Sequence, residues 1–149
     1  LPVDSAKPCI IGGLIFPDVP GLSADSYGDI VFHAICNAIT SVTGVPVLGK
    51  IAIDLCHKEG ITDSQVYLEA ALKTLGAQRI EHVALTVEGK RPRLQLRIEE
   101  ICRHVAEVMH LSPHQVGMTA TSGDGLTDFG CGDGVQCFCI LTTVEEICG

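Results

Sequence analysis

The chain has 149 residues, 46% of them hydrophobic and 19% charged, with a formal net charge of −8. That length fits one compact domain, 1–149, whose core is large enough to fold without disulfide staples. The acidic balance lacks the basic footprint of a nucleic-acid binder, and no apolar run approaches the ~20 residues that span a bilayer.

No signal or transit peptide is visible. Eight cysteines are present, none in C-x-x-C spacing, which argues against a zinc knuckle or a redox motif. Cys36 and Cys102 on apolar helix faces, and Cys137 and Cys139 alternating along an apolar strand, read as buried free thiols of a reducing compartment. Low charge with this much apolar content also leaves surface to be buried against other subunits.

Residues 9–16, CIIGGLIF, predict a strand interrupted by a bulge or tight bend at Gly12-Gly13. Residues 17–24 predict a Pro/Gly/Ser loop. Residues 28–43 predict a helix whose apolar stripe is Val31, Ala34, Ile35, Ala38 and Val42, with Asp29, His33 and Asn37 on another face. Residues 44–62 predict an irregular connection. Asp63 predicts the N-cap of a second helix running to Leu75. Residues 80–88 predict a strand. Residues 95–110 predict the clearest helix, with Ile98, Ile101, Cys102, Val105, Val108 and Met109 at i, i+3, i+4 spacing. Residues 115–121 and 134–143 predict two further strands, separated by GDGLTDFGCGDG. Helices alternating with strands at this size predict an α/β or α+β two-layer domain.

Four constellations carry chemistry. His33 is either a zinc ligand oriented by Asp29 and Asn37, or a polar surface residue near a helix start. The other histidines read as surface groups, with His57 undecided in its irregular segment. The start of the same helix, at Ser26 and Gly28, is either an anion site at the positive end of the helix dipole or a plain N-cap by Asp25 or Ser26. The segment TATSGDGLTDFGCGDG, residues 119–134, either offers hydroxyls, N–H groups and aspartates to phosphate and a hard cation, or is a glycine-rich turn. It fits neither an EF-hand loop nor a Walker A loop. The basic cluster GKRPRL, residues 89–94, either meets a phosphate or base or is a solvated turn.

Taken in order, these pieces resemble one family along nearly the whole chain. They are KPCIIGGLIFP, the stretch ADSYGDIVFHAICNAI, LGK, TDS before the second helix, RPRL followed by IEEI, TATSGDGL and GCGDGV. The family is 2-C-methyl-D-erythritol 2,4-cyclodiphosphate synthase of the non-mevalonate isoprenoid pathway. The resemblance implies an α+β subunit, a two-layer α/β sandwich, assembling as a homotrimer with active sites at subunit interfaces. It implies a lyase that cyclises 4-diphosphocytidyl-2-C-methyl-D-erythritol 2-phosphate and releases CMP. It implies zinc, or another divalent transition metal, and magnesium or manganese as cofactors. No nucleic acid and no membrane enter as partners. The implied location is cytoplasmic, with a plastid form as the alternative.

By position, the resemblance makes His33 a zinc ligand, its two companions belonging to an Asp-x-His strand expected upstream of Leu1. It assigns Ser26, Asp29, Thr121 and Asp124 to catalysis, and Asp124 also to the second metal. It assigns Asp25, Ser26, Gly49, Gly89, Arg93, Leu94, Ala120, Thr121 and Ser122 to substrate binding. Several positions depart from the family pattern. Asp25 stands where a phosphate-binding histidine is usual, Tyr27 replaces an aspartate, and Asn37 replaces an acid. Val47 replaces a ribose-contacting aspartate, and AIDLCH keeps only Asp54 of a longer acidic loop. Asp124 replaces a glutamate, and Arg93 a lysine. Cys131 and Phe138 replace an ion pair on the trimer axis, which predicts a more apolar central channel. The alternative to a working synthase is a non-catalytic trimeric relative that binds a nucleotide or an isoprenoid diphosphate. An unrelated metal hydrolase would need a second His/carboxylate cluster.

Overall fold

The computed structural model describes residues 1–24, 28–48 and 63–147. The chain opens with an antiparallel hairpin of β1 (Val3–Ile11) and β2 (Leu14–Leu22). Gly12 and Gly13 form its two-residue turn at φ 60° and 81°. Positive φ at both central residues matches the right-handed twist of the flanking strands, and glycine adopts it without a Cβ penalty. So the expected break in a strand is the tip of a hairpin. The loop expected over 17–24 is corrected with it: β2 continues to Leu22. Pro17 and Pro20 obscured the strand, yet a two-stranded hairpin is all edge, where a residue lacking an N–H is tolerated. The register slips around Pro8, which pairs with Pro20.

Helix α1 (Ile30–Thr43) follows, and Gly44 ends it at φ 75°. Val31, Ile35 and Ile39 are fully buried, while Ala38 and Val42 of the expected stripe are only half-buried. Residues 44–48 are irregular as expected, and 49–62 lie outside the described residues. Helix α2 (Ser64–Leu72) is N-capped by Asp63 and tightens into a 3-10 turn over Lys73–Leu75. Strand β3 (Gln78–Glu88) leads through a 3-10 turn at Gln95–Arg97 into α3 (Ile98–Val108). Strand β4 (Val116–Thr121) lies parallel to β3, the pairing that requires a crossover such as α3 supplies. The glycine-rich segment then forms a 3-10 turn at Gly123–Gly125 and a one-turn helix α4 (Asp128–Cys131). Strand β5 (Gln136–Glu145) returns antiparallel to β3, giving the sheet order β4-β3-β5.

One face of this sheet is core. Ile80, Val83, Leu85, Val87, Val116 and Met118 are buried against helices α1 and α3. The other face, carrying Phe138, Ile140 and Val144, is exposed. Residues 1–3 run beside 133–135: Val3 N donates to Asp133 O at 3.0 Å, and Val135 N donates to Leu1 O at 2.9 Å. The hairpin is thereby stitched to the segment leading into β5. The subunit is α+β. Cys9, Cys36 and Cys102 are buried free thiols, Cys137 and Cys139 are half-buried, and Cys131 is exposed. No helix of the described residues is long and apolar enough to cross a membrane.

Candidate active site

A cavity of about 520 Å³ opens where β3 and β4 end, a size suited to a small-molecule ligand. Two parallel strands ending side by side leave a crevice beyond their carboxyl ends, and the loop after β3 folds over it. Ile11, Val87 and Val135 form an apolar floor. Gly89, Arg93 and Leu94 form one wall, and Ala120, Thr121 and Ser122 the other. The walls are cross-linked. Gly89 N donates to Thr121 O at 3.0 Å, and Gln95 Nε2 donates to Ala120 O at 3.1 Å. A side chain at 89 would meet Val135 Cγ2 at 3.0 Å, so glycine there lets the wall sit close to the floor.

Six residues expected from the sequence to bind substrate therefore converge on one cavity: Gly89, Arg93, Leu94, Ala120, Thr121 and Ser122. Asp25, Ser26 and Gly49 lie outside the described residues. The apolar floor was not singled out from the sequence, because its three residues come from three distant segments. Lys90 and Arg91 join Arg93 at the cavity, and among the described residues none of the three pairs with a carboxylate. Arg79, Arg97 and Arg103 do pair. In a chain of net charge −8, this rim is a local cationic patch facing an otherwise acidic protein.

The start of α1 is built differently from its expected role. Asp29 is the N-cap and is 1% exposed. Its Oδ1 accepts from Gly12 N at 2.9 Å, Val31 N at 3.1 Å and Phe32 N at 3.2 Å, and its Oδ2 accepts from Gly13 N at 2.7 Å. This carboxylate joins the hairpin tip to the helix start: each of these four bonds is to backbone, which gives Asp29 a structural role. Two N–H groups of the first turn of α1, those of Val31 and Phe32, are taken up by Asp29 as N-cap, while Ser26 of the expected anion site lies outside the described residues. Burial pushes the Asp29 carboxyl up to about 6, against the downward pull of those four N–H groups. Burial, and then the Asp29 charge, push the neighbouring thiols of Cys9 and Cys36 up to about 11 and about 12, which leaves them unreactive.

His33 is half-buried on α1 and does not line the cavity. Burial holds its imidazole below its ordinary pKa, which favours the neutral form that metals bind. Asp124 is exposed on the turn after β4 and is also outside the cavity wall. Among the described residues no three His, Cys, Asp or Glu side chains converge on a metal position. His33 and Asp124 thus suit a metal by donor type but not by number. Val47, in place of a ribose-contacting acid, is 1% exposed and belongs to the core.

The family model of the YgbB family matches residues 2–144. The 2-C-methyl-D-erythritol 2,4-cyclodiphosphate synthase of Chlamydia felis is 56% identical over 146 residues, covering 97% of this chain and 82% of that protein. The synthase of the same name from Chlamydia trachomatis serovar L2b is 51% identical over the same shares of both chains. Among solved structures, the IspF–CDP complex of Plasmodium falciparum superposes with a TM-score of 0.79 at 21% identity, over 99% of this chain and 90% of that one. That last likeness is one of fold, whereas the first two are likenesses of sequence over nearly the whole chain. With its family match spanning the hairpin, both cavity walls and β5, this chain belongs to the YgbB family, the 2-C-methyl-D-erythritol 2,4-cyclodiphosphate synthases.

Proposed function

We propose that the chain is a lyase of the non-mevalonate isoprenoid pathway, cyclising 4-diphosphocytidyl-2-C-methyl-D-erythritol 2-phosphate to the 2,4-cyclodiphosphate with release of CMP. The observation that carries this reading is the convergence of the six nucleotide-wall residues on a cavity with an apolar floor and a cationic rim. The base rests over Ile11, Val87 and Val135, and the hydroxyls of Thr121 and Ser122 face the phosphates. An oxygen of the 2-phosphate forms a bond to the β-phosphorus, the bond from that phosphorus to the bridging oxygen breaks, and CMP leaves with that oxygen. The nucleophile is already an anion, so positioning and charge neutralisation do the work.

Arg93, Lys90 and Arg91 offset the charge of the approaching diphosphate. Zinc and magnesium or manganese are the family's implied cofactors. His33 and Asp124 are single donors among the described residues, too few for either ion, so no step is assigned to a metal here.

The working unit is a homotrimer with sites between subunits. Its support is the uncovered sheet face, where Phe138 and Ile140 are 65% and 71% exposed beside Val144, an apolar face with nothing packed on it in the single chain. Cys131 and Phe138 are both exposed, in keeping with an apolar channel. The free thiols favour a reducing, cytoplasmic setting. The test is CMP release from the diphosphocytidyl substrate with zinc and magnesium present. Appearance of CMP and the cyclic diphosphate is expected. CDP binding without turnover would replace this reading with that of a nucleotide-binding relative.

A further inference from the structure

The turn after β4 is held in an uncommon conformation. Gly123, Asp124 and Gly125 have φ of 62°, 53° and 73° in succession. A non-glycine residue in the left-handed region persists where its surroundings over-determine it. Beside Gly123 lies Glu88, the last residue of β3, which does not line the cavity and which the sequence reading placed only in a strand. Its Oε1 accepts from Thr127 Oγ1 at 3.0 Å and from Gln136 Nε2 at 2.9 Å. Its Oε2 occupies the space beside Gly123, where a Cβ would come within 2.5 Å of it. Thr127 in turn caps α4 by accepting from Gly130 N at 3.0 Å. Gly130 packs so closely that a Cβ there would meet Ser122 O at 2.5 Å. One carboxylate thus ties the end of β3 to the start of β5 and to the cap of α4, and packs against the turn that follows Thr121 and Ser122.

We infer that Glu88 is a positioning residue for turnover: it holds the Gly123–Gly125 turn, and with it Thr121, Ser122 and Asp124, in the reactive arrangement. This rests on the lyase reading above. Its test compares CMP release by wild type, Glu88→Ala, Glu88→Gln, Thr127→Val and the Glu88→Ala/Thr127→Val double variant, alongside amide hydrogen exchange of residues 121–132.

The expected result is a kcat about tenfold lower for Glu88→Ala with KM within about twofold, because misplacement of reacting groups acts on rate more than on binding. Glu88→Gln keeps an oxygen for both donors and should stay within about twofold of wild type. Thr127→Val should share the kcat loss, and the double variant should be no worse than Glu88→Ala, as for two partners of one contact. Unchanged kcat in Glu88→Ala overturns the inference. So does an equal loss in Glu88→Gln, which would mean that the charge itself acts. Should Glu88→Ala not fold, Thr127→Val with normal kcat overturns it. If wild type releases no CMP, the lyase reading fails and exchange decides: faster exchange over 121–132 in Glu88→Ala, restored in Glu88→Gln, supports the clamp, and equal exchange refutes it.

Discussion

Removing the Asp29 carboxylate should damage the fold rather than the chemistry. It is buried and accepts four backbone N–H groups at 2.7–3.2 Å, two from the hairpin tip and two from the first turn of α1. Loss of an N-cap costs about 1 kcal/mol. The Gly12 and Gly13 donors, left without partners, cost about 1–2 kcal/mol each. Asp29→Ala should therefore destabilise by about 3–5 kcal/mol, a fall in Tm of about 10 °C or more for a domain of this size. Asp29→Asn is the informative control. Its amide oxygen can take the three bonds now on Oδ1, but its NH2 faces the Gly13 N–H, so about 1–2 kcal/mol should be lost.

Thermal and urea unfolding would measure both, with CMP release assayed well below each Tm. A loss under about 1 kcal/mol for Asp29→Ala would refute the latch. A well-folded Asp29→Asn with turnover abolished would return Asp29 to the chemistry. The pH dependence has a definite sign. The folded pKa is raised to about 6 from 3.8, so the folded state keeps a proton that the unfolded chain has released. The stability contributed is complete below the unfolded value and is lost as pH rises towards about 6; Asp29→Asn should remove that slope.

Gly12→Ala should lower stability by about 1–3 kcal/mol, since the new Cβ would lie 2.5 Å from Ile101 Cγ2 at a positive φ; a denaturation midpoint equal to wild type would count against this packing. Arg93→Ala should weaken CDP binding about tenfold in calorimetry and flatten its salt dependence, with Arg93→Lys in between; unchanged affinity would remove Arg93 from the site. Phe138→Asp with Ile140→Asp should shift sedimentation from trimer to monomer, because both side chains stand on the uncovered sheet face; an unaltered trimer would place the interface elsewhere.

Where periodicity is long and clean, the sequence suffices. The N-cap Asp63 is found as expected, and the helix expected over 95–110 is found at 98–108 behind a 3-10 turn at 95–97. The strand at 14–22 was hidden by its prolines, whose tolerance depends on lying at an edge, a property of the sheet and not of the segment. The two wall segments, GKRPRL and TATS, stood out because each is contiguous and chemically distinctive, but their residues alone left a plain turn equally open, and the family resemblance assigned them to substrate. Their floor did not stand out: Ile11, Val87 and Val135 look like any core residues until the fold gathers them. Asp29 and Glu88 mark the limit most clearly. A carboxylate near a helix start or a strand end reads alike as ligand, cap or surface group, and only the positions of Gly12, Gly13, Thr127 and Gln136 around the two side chains decide which. Those partners come from other segments, so residue type and spacing determined the domain and its main elements, while the two wall segments were tied to substrate only by the family resemblance. Tertiary contact alone determined what each buried or half-buried acid does.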